Sequence, residues 1–419
     1  MVIELTPKQL QRVKVIENAV TGRIGVVEAA RLLNLSSRQV KRLKRCYQTD
    51  TVDWVRHGNR GRSSEKALSP SDREKIVELA RGKYAGFNDT HLSEKLNQQE
   101  DIEASRETVR RILRMAGVKS PQKRRPTKYR SRRERKPRMG MMALTDASRE
   151  DWLEGRGPCL TLIGYQDDAT GRMLAGRFQM EPEDTVGYLR QLRAMVEAYG
   201  IPVSLYRDRH GTFQRNDKHW TVEEQLAGRQ TPTQLGRVLE ELGIESIRAL
   251  SPQAKGRIER MWKTFQDRLR SELRLAQART LEQANAVLEK FVVDYNGQFG
   301  VAAQQAASDF RPLSRRENWD RLFSLKYERV VGKDHVIEFG ARAIQLPAQG
   351  RLGYAGTRVE LSHQLNGELH VWLGGERLHS MALPLDYTPG LAPPRLAVRK
   401  KKSPRIYMHA GRPAIAVRP

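Results

Sequence analysis

CLTLIGYQDDATGRMLAGRF, residues 159–178, is two apolar runs separated by Ala169-Thr170-Gly171, the pattern of a β-hairpin. Just upstream, MMALTD, residues 141–146, is a third short apolar run that ends on an acid. Downstream, EDTVGYLRQLRAMVEAYG repeats its apolar residues at helical spacing and stops at Gly200, and IPVSLYRD, residues 201–208, reads as a strand ending at Asp208. SPQAKGRIERMWKTFQDRL, residues 251–269, is a helix opening at Ser251-Pro252, with Ile258, Trp262, Phe265 and Leu269 as its buried stripe. Three strands, a helix, a strand and a later helix predict an α/β domain with a mixed sheet over residues 139–313.

Around this domain lie six further segments. Residues 1–56 show helical periodicity in three pieces, broken at TGRIG and NLS, which is the rhythm of a helix-turn-helix. Val26, Ala29, Ala30 and Leu33 face inward from its second helix and Val40 and Leu43 from its third. Arg38, Lys41, Arg42, Lys44 and Arg45 stay outside, as on a helix lying in a major groove. Residues 57–68 form a linker whose Arg60 and Arg62 could enter a minor groove, although such tripeptides are common and a plain flexible link is the better reading. Residues 69–118 repeat the helical cycle as a second helix-turn-helix, with Pro70 opening its first helix.

Residues 119–138 carry eleven basic residues, Lys123, Arg124 and Arg125 among them, with one acid, three prolines and no apolar face. Such a segment is expected to be an extended link that follows a DNA backbone. From residue 324 to 388 alternation takes over, VELSHQL and ELHVWL flanking Asn366-Gly367, and a small β-barrel of about five strands is expected. Residues 389–419 read as a disordered basic tail.

The whole chain has 75 Lys and Arg against 49 Asp and Glu, a formal charge of +26 over 419 residues. So large an excess is costly through self-repulsion unless a polyanion is the partner, and nucleic acid is the leading candidate, double-stranded DNA being the form that the helix-turn-helix pattern adds. No long apolar run suggests a membrane span, and the N-terminus lacks the apolar core of a secretory signal, so a cytoplasmic location is expected. Cys46 and Cys159 are too few for a disulfide framework and read as ordinary buried or half-buried residues.

In so basic a chain, carboxylates at strand ends call for a reason, and a divalent cation is the usual one. Asp146 and Asp208 each end a predicted strand, and Glu259 lies early on the following helix among Lys255, Arg257, Arg260 and Lys263. If the strands are neighbours and the helix crosses them, the three acids converge as ligands for two Mg²⁺ or Mn²⁺ ions. Lys263, Gln266 and Arg270 follow Glu259 at helical spacing and can steady a DNA strand, Gly256 allows close approach, and Asp167 and Asp168 read as turn caps. His210 reads as structural or solvated, and Tyr295 as packing rather than a nucleophile.

LTDASREDWLEGRGP, GYQDDATGRM, LYRDRHGTF and SPQAKGRIERMWKTFQDRL, followed by DYNGQFG and DFRPLSRRENW, resemble in order and wording the insertion-sequence transposases of the ISNCY type, within the retroviral-integrase-like superfamily. The resemblance runs from the first helix-turn-helix to about Leu313. It implies a ribonuclease H-like catalytic core and a DDE triad falling on Asp146, Asp208 and Glu259. It further implies cleavage and strand transfer at transposon ends, by a homodimer or larger assembly on end and target DNA. The expected architecture is thus α + α/β + β, multidomain. Fifty residues separate Asp208 from Glu259, longer than is usual in that superfamily, so a helical insertion, HWTVEEQLAGRQTPTQLGRVLEEL, is expected between them. A DNA-binding regulator descended from such an enzyme, and a nuclease without strand transfer, are the alternatives.

Overall fold

The structure is a computed structural model that describes residues 5–49, 52–55, 67–121, 133–215, 219–249, 256–313, 318–340, 342–347 and 353–385. The chain falls into two compact units, residues 1–77 and 78–419. Among the described residues no helix is long and apolar enough to cross a membrane.

The first unit holds α1 (Pro7–Val20), α2 (Val26–Leu33) and α3 (Ser37–Thr49). Thr6 and Gln9 form a capping box ahead of α1, and Asn34, in the left-handed region at φ 53°, ends α2 and turns the chain toward α3. Ile16, Ala19, Ala29, Ala30 and Val40 form the buried centre, with Val26, Leu33 and Leu43 packed around it. Small side chains at positions 29 and 30 let the helices approach closely.

Helix α4 (Pro70–Arg81) carries the boundary between the units, and α5 (Asp89–Gln99) and α6 (Arg106–Met115) belong to the second. Asn88 caps α5 by accepting from the Thr90 and His91 amides, and Ser105 caps α6. The Ala104 backbone between them is held on both sides, its N–H by Asn97 at 2.9 Å and its carbonyl by Ser93 at 2.6 Å.

The central sheet contains β1 (Met142–Glu150), β2 (Leu160–Asp167), β3 (Met173–Gln179), β4 (Ser204–Arg207) and β5 (Glu245–Arg248) in the order β3-β2-β1-β4-β5. The first three form an antiparallel meander, while β1, β4 and β5 run parallel. Between β3 and β4 lies α7 (Thr185–Tyr199), and between β4 and β5 lie α8 (Val222–Ala227) and α9 (Gln234–Glu241). α10 (Gly256–Leu275) and α11 (Leu281–Phe299) follow β5. Strand alternation sends Met142, Leu144 and Tyr206 into a core with Ile258, Trp262, Phe265 and Leu269 of α10, and Ala143 and Leu205 into an opposite core with Leu189, Leu192 and Val238.

Two expectations change here. The interval between Asp208 and Glu259 is not all insertion: Leu235, Val238 and Leu239 of α9 are buried, and the helix is the crossover that carries the chain from β4 to the parallel strand β5. Only α8, with Val222 and Leu226 exposed, stands outside the core. MMALTD also does not end at Asp146, because β1 continues to Glu150 against β2.

After α12 (Trp319–Leu322), the C-terminal region has β6 (Leu325–Val330), β7 (Val336–Phe339), β8 (Arg342–Gln345), β9 (Arg358–His363), β10 (Glu368–Leu373) and β11 (Glu376–Ala382). Asn366-Gly367 turns β9 into β10, with Gly367 at φ 84°. The expected barrel is not closed among the described residues. β11-β10-β9-β6 is an open four-stranded sheet, and β7-β8 is a separate hairpin. Because β6 pairs directly with β9, that hairpin leaves the ladder and buries Ile337, Phe339 and Ile344 with Leu361, Leu369 and Val371. The expected tail, residues 389–419, lies outside the described residues.

α5 grips α10 through a polar seam. Glu272 of α10 accepts from His91 Nε2 at 2.6 Å and Lys95 Nζ at 3.0 Å, while Arg268 donates to Glu94 at 2.6 Å and to Gln298 at 3.1 Å. Burial alone raises the pKa values of Glu94 and Glu272, yet hydrogen bonds from Arg268, His91 and Lys95 hold both below their ordinary 4.5. A depressed carboxylate stabilises the fold above its unfolded pKa and loses that contribution as pH falls through the folded value. The seam is therefore expected to be at full strength above about pH 5 and to weaken steadily below it. Amide exchange along α5, corrected for intrinsic rates, should report greater opening at about pH 3.5 than at about pH 6; equal protection at both would refute the role assigned to the pairs.

Candidate active site

Met142, Ala143 and Leu144 of β1 pair in parallel with Ser204, Leu205 and Tyr206 of β4. Continued by two places, this register brings Asp146 level with Asp208, just past the last paired residues. Both positions share the parity of Leu144 and Tyr206, whose side chains meet α10. Glu259 lies in the first turn of α10, three residues before Trp262 and therefore beside it on the helix surface. The Trp262 indole N–H donates to Asp146 Oδ2 at 3.2 Å, so the helix that carries the glutamate touches the strand aspartate directly.

Asp208 is held by its own loop. The His210 backbone N–H donates to Asp208 Oδ1 at 2.9 Å, and the Arg207 guanidinium donates to the Asp208 carbonyl at 2.9 Å. The His210 ring bonds Thr212 at 2.9 Å and faces Glu183 at 3.4 Å. All three acids are half-buried, so each can meet a solvated partner without being lost in the core. Among the described residues no three His, Cys, Asp or Glu side chains stand together closely enough to hold one metal ion.

Asp167 and Asp168 have other work. Asp167 is buried and caps its turn, accepting from the Thr170 amide at 2.8 Å and the Gly140 amide at 3.0 Å. Asp168, also fully buried, pairs with Arg133 and Arg257. That double pairing has no local sequence signal, since its partners lie 35 and 89 residues away.

The residues expected at DNA divide into three groups. Arg38, Lys41, Arg42 and Arg45 are exposed on α3, and Lys263 is exposed on α10. Lys44, Gln266 and Arg270 are half-buried and have acceptors within the protein: Lys44 donates to the Ala19 carbonyl at 2.7 Å, closing the end of α1, and Gln266 and Arg270 both bond Glu150 of β1. A charge in the sequence does not disclose that an internal acceptor is waiting for it. Arg60, Arg62, Lys123, Arg124, Arg125 and Lys255 lie outside the described residues. Beside α10, an open cleft of about 1530 Å³ is lined by Arg106 and Arg110 of α6 and by Lys263, Thr264, Arg270 and Arg274.

Three smaller readings resolve. Tyr295 is packed among Phe265, Phe291 and Phe299, and burial pushes its phenol up to about 12, which unsuits it as a nucleophile. No described residue approaches Gly256 closely, since nothing lies within 4 Å of where its Cβ would stand. Cys159 is exposed rather than buried.

Residues 241–298, which span β5, α10 and nearly all of α11, match the integrase core domain family. The putative transposase y4bF of Sinorhizobium fredii (strain NBRC 101917 / NGR234) is 34% identical over 377 residues, covering 89% of this chain and 80% of that protein. The transposase for insertion sequence IS1202 of Streptococcus pneumoniae is 28% identical over 391 residues, covering 84% of this chain and 81% of that protein. Among solved structures, the cryo-EM structure of the simian T-cell lymphotropic virus intasome in complex with PP2A regulatory subunit B56 gamma aligns with 74% of this chain and 96% of that chain, at 11% identity. Its TM-score of 0.31 is too low for that likeness to carry an argument. An integrase-type core inside a polynucleotidyl transferase is thus the class of enzyme at hand. The chain belongs to the insertion-sequence transposases.

Gly164 on β2 lies opposite Asp146, and a Cβ there would stand 2.9 Å from the Trp262 ring and 3.0 Å from Met173. Gly164→Ala is expected to cost about 1–3 kcal/mol through overpacking and to displace the indole from Asp146. Urea unfolding followed by tryptophan emission checks both effects; wild-type stability with an unshifted spectrum would show that the ring has room to spare.

Proposed function

We propose that this transposase binds the terminal inverted repeats of its element and carries out metal-dependent cleavage and strand transfer, with Asp146, Asp208 and Glu259 as its acidic triad. The observation that carries the reading is the shared register of Asp146 and Asp208 on the sheet face that α10 crosses with Glu259 in its first turn. The mixed five-stranded sheet supports a ribonuclease H-like core, and the motifs quoted above support the narrower ISNCY-type assignment.

By chemical type the three acids fit a hard divalent cation, since carboxylate oxygens are the preference of Mg²⁺ and Mn²⁺, while in this structure they are not gathered around one point. Asp146, Asp208 and Glu259 would hold two such ions, which when bound lower the pKa of water and stabilise charge on the attacking and leaving oxygens. Trp262 orients Asp146 through its N–H, and the His210 amide orients Asp208. In cleavage, water attacks a phosphodiester at the element's end and frees a 3′-hydroxyl. In strand transfer, that hydroxyl attacks a phosphodiester of the target in line.

End recognition is assigned to α2–α3 as a helix-turn-helix, with Arg38, Lys41, Arg42 and Arg45 toward the groove, and to α5–α6 as the second. Lys263, exposed on α10 one turn after Glu259, is assigned to the strand being cut. Two ends must be brought together, so a homodimer or larger assembly on DNA is part of the proposal, in a bacterial cytoplasm with the protein associated with the nucleoid.

Incubation with Mg²⁺ or Mn²⁺ and paired end DNA should yield nicked ends and joined product. Binding without cleavage would instead indicate a regulator, and cleavage without joining a nuclease. Asp146→Asn, Asp208→Asn and Glu259→Gln are each expected to lower cleavage by at least about 1000-fold, roughly 4 kcal/mol of transition-state stabilisation, while end binding stays near wild type. If all three variants cleave normally, the triad is misassigned. Affinity for nonspecific DNA should fall steeply with salt, since Lys and Arg contacts release counterions; a flat dependence between about 50 and 200 mM would remove the basic face of α3 and the basic link from the interface.

A further inference from the structure

The turn between β2 and β3 does more than reverse the chain. Asp167 caps the turn, whereas the carboxylate of Asp168 binds three groups from elsewhere. Its oxygens accept from the guanidinium of Arg133, from that of Arg257 and, at 2.8 Å, from the Lys136 amide. Arg257 is the second residue of α10, two before Glu259, and it also donates to the Arg133 carbonyl. The Arg133 guanidinium lies 5.9 Å from the ring centre of Tyr206, which stands two residues before Asp208. Arg135 donates to the Ala169 carbonyl at 3.0 Å, fastening the same turn. One buried carboxylate therefore meets the end of the basic link and the first turn of α10, and Arg133, which it holds, lies over the ring of Tyr206 in β4.

The first turn of a helix lacks intrahelical partners for its N–H groups and is the part that frays. Glu259 sits in that turn, where side-chain anchors decide its position. The apolar stripe secures α10 from Ile258 onward, and Arg257 is the anchor on the side of the link.

We propose that Asp168 and Arg257 are positioning residues that set Glu259 against Asp146 and Asp208, and that Arg133 ties that setting to the basic segment 119–138. This rests on the reading of Glu259 as the third acid of the site. Arg257→Ala is the informative variant, because it cuts the tether while leaving Asp168 paired with Arg133.

In the full-length protein, Arg257→Ala should weaken Mn²⁺ binding, read by electron paramagnetic resonance without DNA, and slow cleavage at saturating end DNA, each by about 10- to 100-fold. The dissociation constant for end DNA should stay within about two-fold of wild type. Arg257→Lys, which keeps a cation beside Asp168, should recover most of both losses. Amide exchange should accelerate at residues 257–262 and not at 265–275.

Unchanged exchange in the first turn overturns the tether whatever the wild type does. Wild-type Mn²⁺ affinity in Arg257→Ala, or a loss that Arg257→Lys leaves unrepaired, overturns its link to Glu259. If the wild type neither binds Mn²⁺ nor cleaves, the functional reading falls, and the exchange result still decides whether Arg257 holds the turn.

Discussion

The burial of α10 against β1 is the constraint on which the core depends. Ile258, Trp262, Phe265 and Leu269 are at most 5% exposed, and each occupies space bounded by the sheet on one side and α11 on the other. Phe265 alone makes edge-on contacts with Trp262, Phe291 and Tyr295. Truncating such a ring typically removes about 3–5 kcal/mol, a large share of a domain's net stability. Apolar packing fixes where the helix lies but not its rotation or slide, because it has little directionality. Directional groups supply those: the Trp262 N–H to Asp146, Gln266 and Arg270 to Glu150, and Arg274 to Glu154.

This explains why β1 is long and shared. It is the only strand of its sheet paired antiparallel on one side and parallel on the other, so it can carry an acid beside β4 and still reach Glu150 farther along the helix. β4 ends early, at Arg207, and the chain leaves the sheet where Asp208 needs a loop to orient it.

The core was legible in sequence wherever one periodicity dominated. The hairpin around Thr170-Gly171, α7 ending at Gly200 and the stripe of α10 appear as read. Alternation also located β9 and β10, but it cannot say whether a sheet closes, because closure depends on which distant strand β6 meets. β5 was missed, since ESIR is short, mostly exposed and charged at both ends, and its place at the sheet edge comes from β4. The polar contacts were the least visible. Glu94, Lys95, Arg268 and Glu272 look like solvated charges in a linear sequence and Asp168 like a turn cap, and their partners lie 35 to 177 residues away. Of the three candidate acids, only the types and order are visible in the sequence, whereas the Trp262 bond to Asp146 and the anchoring of Asp208 by His210 required the fold.

The seam between α5 and α10 gives the long helix a mechanical character. With 20 residues, α10 is a shaft of roughly 30 Å. It is gripped along its far half by Asn88, His91, Glu94 and Lys95, and it carries Glu259 at the opposite end. The grip of α5 and the first-turn acid therefore lie at opposite ends of a helix that the sheet and α11 hold along its length. The seam and Glu259 are thus joined by one continuous helix, so their separation is set by helical rise rather than by slack in a linker.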